Sequence, residues 1–234
     1  LYLRLTGERA TDPSEGTLSF GDFRTRAYSD TVLRALGLAA LRPLLPEIVD
    51  GTRRHGRLTA AAARQTGLAA GTPVVLGYID IVCSALGAGL YDRGEGAATS
   101  IIGSTGMHMR LVHGAAGVAL APDRTGYTIA FPVPDTLAQM QSNLAATLNI
   151  DWVLDLILGV LATEGVVRER GDLLAGIDRL LESAPPGTLL FHPYISEGGE
   201  RGPFVDSEAR AGFLGLSTRH GHADLVRAVF EGIA

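Results

Sequence analysis

Residues 77–106 read GYIDIVCSALGAGLYDRGEGAATSIIGSTG. An apolar run that starts at Pro73 leads to a lone carboxylate, Asp80, and a second apolar run stops at residues 103–106, a segment of hydroxyl side chains and glycine. A carboxylate at a strand end can accept a proton from a substrate hydroxyl, and the N–H and hydroxyl groups of a hairpin can hold phosphate oxygens. The spacing therefore predicts a phosphoryl-transfer site built without a P-loop.

Each half of this pattern also has a purely structural interpretation. Aspartate is a common N-cap, so Asp80 can simply begin a helix after the strand. Glycine and serine occur in turns of every kind, so residues 103–106 can be an ordinary hairpin turn. On the residues alone, both interpretations stay open.

The composition limits the kind of protein this can be. The 234 residues are 46% hydrophobic, which is enough for one large domain or parts of two around a sizeable core. The formal net charge is −5, and no arginine run or basic stretch interleaved with aromatic residues indicates a nucleic-acid partner. No apolar stretch reaches the length of a membrane span. Cys83 is the only cysteine, which fits the cytoplasm, and its small neighbours predict a buried thiol.

All 20 basic residues are arginine, because the chain contains no lysine. This excludes a Walker A loop, a protein-kinase strand lysine and a pyridoxal Schiff base in the chain as given. Phosphate chemistry here must use backbone amides, hydroxyls, carboxylates, a metal or arginine.

Helical and strand patterns alternate along the chain, which predicts an α/β fold. A change towards strand-like sequence predicts a domain boundary near residue 95, after a turn at 92–96. The predicted strands are 73–77, 99–102, 107–112, 127–133 and 188–192. The predicted helices run from Ser29 or Asp30 to Pro43, and over 60–66, 81–90, 136–146, 150–161, 171–181, 206–212 and 223–234.

Several longer runs resemble the FGGY carbohydrate kinases, a family with the actin-like ATPase fold. The strongest match is residues 211–216, AGFLGL, followed after seven residues by 224–231, DLVRAVFE, which together fit the family's C-terminal signature. Weaker matches cover most of the rest of the chain and lie at residues 10–18, 58–75, 193–194 and 199–203. The resemblance implies a two-domain α/β kinase, with residues 1–95 in the substrate-binding domain and 96–234 in the nucleotide-binding domain.

The resemblance also implies roles for particular residues. Asp80 takes the place of the catalytic base, with Ile81 beside it where relatives carry an amide. His108 is a candidate for contact with substrate because it follows the turn at 103–106, although a histidine in a strand more often has a structural role. The candidates for nucleotide binding are Gly103, Ser104, Thr105, Gly106, Thr147 and Asp151. Thr147 and Asp151 depart from the glycine and polar residue that relatives place near the nucleotide.

ATP and Mg²⁺ are the cofactors that the family implies, and a small sugar or polyol is the implied partner. Residues 100–109 and 139–152 resemble the erythritol-phosphorylating branch; xylulose, ribulose and glycerol are the alternative substrates. A catalytically silent sugar-binding relative and an inactive fragment are further alternatives, and assembly into a homo-oligomer is left open.

The chain starts at Leu1 without an initiator methionine and ends within a helical pattern. We therefore expect it to be incomplete at both ends. By resemblance, the first phosphate loop lies before Leu1 and the adenosine motif lies after Ala234.

Three other polar or aromatic features receive structural interpretations. His220 and His222 are expected in a solvated loop rather than in a metal site. Glu200 and Arg201 are expected to form an ion pair, and Trp152 is expected in the core.

Overall fold

The computed structural model describes residues 1–91 and 96–234, so the turn predicted at 92–96 and the boundary predicted near residue 95 lie largely outside the described residues. Short 3-10 helices span Ala39–Leu44 and Ala115–Gly117. The α-helices in the described part are α1 (Tyr2–Thr6), α2 (Pro13–Phe20), α3 (Asp30–Ala35), α4 (Ala60–Thr66), α5 (Asp80–Gly87), α6 (Thr147–Thr163), α7 (Arg170–Ala175), α8 (Ile177–Glu182) and α9 (His222–Gly232).

The strands form one four-stranded sheet and several two-stranded pairs. In chain order they are β1 (Ala10–Thr11), β2 (Gly21–Asp22), β3 (Ala27–Tyr28), β4 (Glu47–Ile48), β5 (Gly56–Arg57), β6 (Pro73–Val74), β7 (Ala98–Ile102), β8 (Gly106–His113), β9 (Tyr127–Ala130), β10 (Thr136–Asn143), β11 (Leu190–His192) and β12 (Gly212–Leu214). The four-stranded sheet has the order β7-β8-β10-β9. The pairs are β1-β4, β2-β3, β5-β6 and β11-β12.

The chain divides into two compact units. Unit 1 contains Leu1–Ile101, His108–Leu120 and Gly126–Met140, and unit 2 contains Ile102–Met107, Ala121–Thr125 and Gln141–Ala234. The boundary predicted near residue 95 stays a prediction.

Local signals position several helices as the sequence predicts. The Thr59 hydroxyl accepts the N–H of Ala62 at 3.2 Å and so caps α4, which ends at Gly67 with a φ of 75°. A positive φ suits glycine because it has no Cβ to clash. Ser29 caps α3 in the same way through the N–H of Val32. These helix starts are confirmed, although α3 ends at Ala35 and a separate 3-10 helix, Ala39–Leu44, contains Pro43.

The strand predicted at 73–77 is much shorter in the structure. Only Pro73 and Val74 pair, antiparallel to β5, and Val75 is 62% exposed. The apolar run predicts a buried strand, but no neighbouring strand continues alongside it within the described residues. The chain leaves the pair and approaches α5 in extended loop form.

The core of unit 2 forms where α6 and α9 pack together and α9 covers β11. Val153 and Leu154 of α6, Phe191 of β11, and Val226 and Val229 of α9 are all buried in one cluster. This helix-on-strand packing holds the N-terminal end of α6 in place.

The helix predicted at 136–146 is wrong, because this segment is strand β10. It pairs antiparallel with β9, with Leu137 opposite Ala130 and Gln139 opposite Thr128. From Ala138 onward, buried and partly exposed side chains alternate, which is the period of a strand. The residues tolerate a helix locally, but sheet pairing decides their conformation.

Two further helix predictions need correction. Residues 206–212 are not helical, because Asp206 forms an isolated antiparallel bridge with Glu200 and strand β12 begins at Gly212. The helix predicted at 171–181 is two short helices, α7 and α8, separated by Gly176.

Candidate active site

Asp80 is the first residue of α5 and lies in unit 1. Its side chain is exposed, and Oδ1 accepts the N–H of Ile81 at 2.7 Å. The N-cap is Ile79, so the structural alternative of an aspartate N-cap does not describe this helix. A carboxylate in the first turn is favoured by the helix dipole. Val82 and Ala85, on the other face of α5, are fully buried and anchor the helix that carries it.

Tyr78, two residues before Asp80, is held by a residue distant in the sequence. The Tyr78 hydroxyl donates to Asp50 Oδ1 at 3.2 Å. Burial, together with the nearby Asp50 charge, raises the pKa of Tyr78 far above its usual value, so the phenol stays a hydrogen-bond donor at neutral pH. Burial alone would raise the pKa of Asp50, but hydrogen bonds from Thr52 and Tyr78 outweigh burial and lower it.

We expect the hydrogen bonds of Asp50 to make the free energy of unfolding depend on pH in the acid range. The pKa of Asp50 is lower in the folded protein than in the unfolded chain. The contribution of this carboxylate to the free energy of unfolding is therefore complete above the unfolded pKa of about 3.9, and it is lost as the pH falls through the folded pKa. Asp50→Asn in the full-length protein should lower the free energy of unfolding by about 1–2 kcal/mol at pH 7. The difference from the native protein should shrink below about pH 4 in urea titrations.

Asp22→Asn is the matched control, because the Asp22 carboxylate also accepts a backbone N–H two residues ahead, from Arg24, but is bonded to no distant tyrosine. A D50N deficit that is the same at pH 7 and pH 3.5 would contradict the assigned role of the Asp50 charge.

The candidate for phosphate binding is the turn between β7 and β8, which lies in unit 2 and is described by itself. The N-terminal end of α6 binds the carbonyl groups of this turn: the N–H of Ala146 donates to Ser104 O and the N–H of Thr147 to Gly103 O, both at 2.9 Å. The Thr147 hydroxyl donates to Gly103 O as well, at 2.9 Å. Helix donors that usually lack a partner are therefore used to fix the turn.

Asn143 fixes the other end of the turn. Its Oδ1 accepts the N–H of Gly106 at 2.5 Å. No local pattern in the sequence points to Asn143, because 37 residues separate the partners. Together, Asn143 and α6 hold the turn from both sides.

The N–H groups at the two ends of the turn are used, that of Gly103 on Thr105 O and that of Gly106 on Asn143, and the two residues between them keep their donors free. Ser104 and Thr105 are exposed, and within the described residues neither their N–H groups nor their hydroxyls donate to a protein acceptor. Two successive N–H groups with two hydroxyls form a concentrated set of donors for an anion. Donors of this kind can bind phosphate oxygens.

The structure gives the other candidate residues more specific contacts. Thr147 binds the turn through its hydroxyl, and Asp151 forms an ion pair with Arg170 at 2.9 Å. Arg170 also binds Asp155, and that hydrogen bond raises the pKa of the guanidinium. His108, on β8 in unit 1, is exposed and bonds through Nδ1 to Ser100 Oγ at 2.9 Å. Their predicted contacts with nucleotide and substrate stay predictions, as does that of Ile81.

Two structural predictions about single residues, Cys83 and Trp152, are wrong. Cys83 is exposed, and its Sγ donates to Tyr78 O at 3.3 Å, because it lies on the outer face of α5. Trp152 is 37% exposed and stacks on Phe191 from the edge of the core.

Glu200 and Arg201 do not pair with each other. The buried Glu200 carboxylate accepts the N–H of Leu144 at 3.0 Å and that of Arg201 at 2.7 Å. The Arg201 guanidinium donates to Ser142 Oγ at 2.6 Å. Glu200 thus fixes the backbone that follows β10, next to Asn143.

Within residues 1–91 and 96–234, no group of three or more His, Cys, Asp or Glu side chains could hold a metal ion. His220 Nδ1 accepts the N–H of Ser217 at 3.0 Å in an exposed turn. In the same part of the chain, no helix combines the length and apolar character that crossing a bilayer demands.

An exposed carboxylate can accept a proton from a hydroxyl, and a turn with free donors can bind phosphate oxygens, and phosphoryl transfer uses both functions. Residues 1–87 match the N-terminal domain of the FGGY family of carbohydrate kinases, and residues 98–234 match its C-terminal domain. The chain belongs to the FGGY family of carbohydrate kinases and has its mixed α/β fold.

Erythritol kinase of Brucella abortus (strain 2308) is 52% identical over 233 residues, which cover 100% of this chain and 45% of that protein. Among solved structures, xylulose kinase from Rhodospirillum rubrum is 29% identical with a TM-score of 0.76, and the match covers 99% of this chain and 43% of that one. Plasmodium falciparum glycerol kinase with ADP shares the fold at 18% identity, a TM-score of 0.76 and the same coverage of 99% and 43%. The chain thus spans less than half the length of these relatives.

Proposed function

We propose that the full-length protein transfers the γ-phosphoryl group of ATP to a hydroxyl of a small polyol, with erythritol as the preferred substrate. The observation that carries the proposal is the exposed Asp80 carboxylate at the start of α5, in a chain 52% identical to an erythritol kinase. The free donors of Ser104 and Thr105 support the phosphate half of the proposal.

In the proposed reaction, Asp80 accepts the proton of the substrate hydroxyl as its oxygen attacks the γ-phosphorus. The new O–P bond forms while the bond from the γ-phosphorus to the β,γ-bridging oxygen breaks, and ADP leaves with that electron pair. The N–H groups of Ser104 and Thr105 donate to phosphate oxygens on which negative charge is spread. The turn needs no rearrangement for this, because Asn143 and α6 already hold it.

Mg²⁺ commonly binds to proteins through one or two carboxylates together with nucleotide phosphates. The described residues fit this mode rather than a dedicated metal site, since they contain no cluster of three metal ligands. Mg²⁺ supplies charge neutralisation when it is bound. Because the donor is ATP, we place the reaction in the cytoplasm.

The experiment is an ADP-release assay of the full-length protein with erythritol, xylulose, ribulose and glycerol, followed by mass spectrometry of the product. We expect the highest kcat/KM for erythritol. A higher value for xylulose would instead favour the activity named for the Rhodospirillum rubrum relative.

The second candidate function is sugar binding without catalysis. It would be supported if the full-length protein bound a polyol in calorimetry but released no ADP with any of the four. Light scattering of the same sample would show whether it is a homo-oligomer.

A further inference from the structure

We propose that Ser14 and Asp12 are positioning residues that hold Asp80 in place through the backbone of Ile79. The inference rests on the proposed role of Asp80 as the catalytic base. It adds two residues that lie more than sixty positions before Asp80 in the sequence.

The Ser14 hydroxyl connects two parts of unit 1. Its Oγ accepts the N–H of Ile79 at 3.1 Å and donates to the Asp12 carboxylate. A hydroxyl has one donor hydrogen and two acceptor lone pairs, so it can make both bonds at once. Ser14 is 0% exposed, so water does not compete for these bonds.

Asp12 fixes the direction of the serine hydroxyl. It is the N-cap of α2, is 7% exposed, and also accepts the N–H groups of Ser14 at 2.8 Å and of Glu15 at 3.2 Å. With its carboxylate engaged by the serine O–H, the lone pairs of Ser14 Oγ are left for the Ile79 N–H. A hydrogen bond to a carboxylate is stronger than one between neutral groups, so this orientation is strongly preferred.

The Ile79 N–H is the last backbone N–H before Asp80, and the Ile79 carbonyl already accepts the N–H of Val82 within α5. Ile79 is the N-cap of α5, and its side chain makes no capping hydrogen bond. Ser14 on this N–H and Asp50 on the Tyr78 hydroxyl thus tie down the two residues before Asp80. Losing the Ser14 bond would let the start of α5 move, and a base displaced by about 1 Å can lose about 100-fold in rate.

The first test is the kinetics of Ser14→Ala in the full-length protein. We expect kcat to fall about 10- to 100-fold with the KM for ATP within about twofold of native, because the change displaces Asp80 and not the turn of unit 2. Asp12→Asn keeps the N-cap acceptor and should show a smaller loss of kcat. Ser19→Ala is the matched control, since the Ser19 hydroxyl lies on the same helix, is exposed and contacts only Glu15.

The second test does not depend on activity. In hydrogen-exchange measurements on a peptide that covers residues 75–82, the Ile79 amide should exchange at least about tenfold faster in S14A than in the native protein, because it loses its acceptor. In S19A its exchange should be unchanged. Unchanged exchange at Ile79 in S14A would overturn the proposal. So would native kcat in S14A while Asp80→Asn is inactive.

Failure of the proposed function would look different. Native turnover by D80N would refute the base assignment itself, and with it any effect of Ser14 on catalysis through Asp80. A change in the KM for ATP alone in S14A would likewise contradict positioning of the base.

Discussion

Asp80→Asn in the full-length protein should lower kcat with erythritol by about 10²- to 10⁴-fold, the range that general-base assistance supplies. Asparagine keeps the shape of the side chain and an oxygen that can accept the Ile81 N–H, but it cannot take up the substrate proton. The KM for ATP and the urea midpoint should stay close to native, because Asp80 is exposed and supports no core contact. ADP release under saturating substrate measures the effect.

Asp30→Asn is the matched control for this variant. Asp30 is also the first residue of a helix, α3, and is exposed, but its nearest charged partner is Arg42 at 3.7 Å on the surface. We expect D30N to turn over like the native protein. Equal activity of D80N and D30N would show that the carboxylate at position 80 is not the base.

Gly106→Ala should raise the KM for ATP about 10- to 100-fold. A Cβ at this buried position would overlap Asn143 Oδ1 and lie 2.9 Å from Cγ of the same side chain. Asn143 would have to swing away, and the Gly106 N–H would lose its acceptor. A buried donor without a partner costs about 1–3 kcal/mol, so we expect the turn to leave its present geometry in the free variant. ATP binding must then restore that geometry, and each 1.4 kcal/mol needed corresponds to a factor of about ten in binding.

Two variants separate this effect from a general fault in the turn. At Gly103, a Cβ would meet no heavy atom closer than Thr105 O at 3.8 Å, so Gly103→Ala should bind ATP almost normally. Asn143→Ala removes the acceptor without adding an atom and should weaken ATP binding in the same direction as G106A. Native ATP affinity in both G106A and N143A would mean that this turn does not hold the nucleotide.

Some elements follow from short-range signals and could be predicted. Helix α4 begins where Thr59 can cap it and ends where Gly67 can adopt a positive φ, and both signals lie within eight residues. The family was also predictable, since its signature at 211–216 and 224–231 depends on residue identities at fixed spacing.

Other elements depend on partners that the local sequence does not contain. Residues 136–146 suit a helix by composition, yet 136–143 form β10 because β9 lies beside them and takes up their hydrogen bonds. Cys83 has small neighbours typical of a buried site, but α5 presents it on its outer face. Burial depends on what packs against a helix, and that is settled by the rest of the fold.

The amino-acid sequence by itself determined the family, the mixed α/β class and the residues to examine, Asp80 and the turn at 103–106, because these are carried by contiguous motifs. The tertiary structure alone decided which distant groups hold them. Hydrogen bonds join Ser14 to Ile79 across 65 residues of chain, Thr147 to Gly103 across 44, and Asn143 to Gly106 across 37. The physical reason is that a hydrogen bond between distant residues forms only after the chain between them has folded and brought donor and acceptor to within about 3 Å.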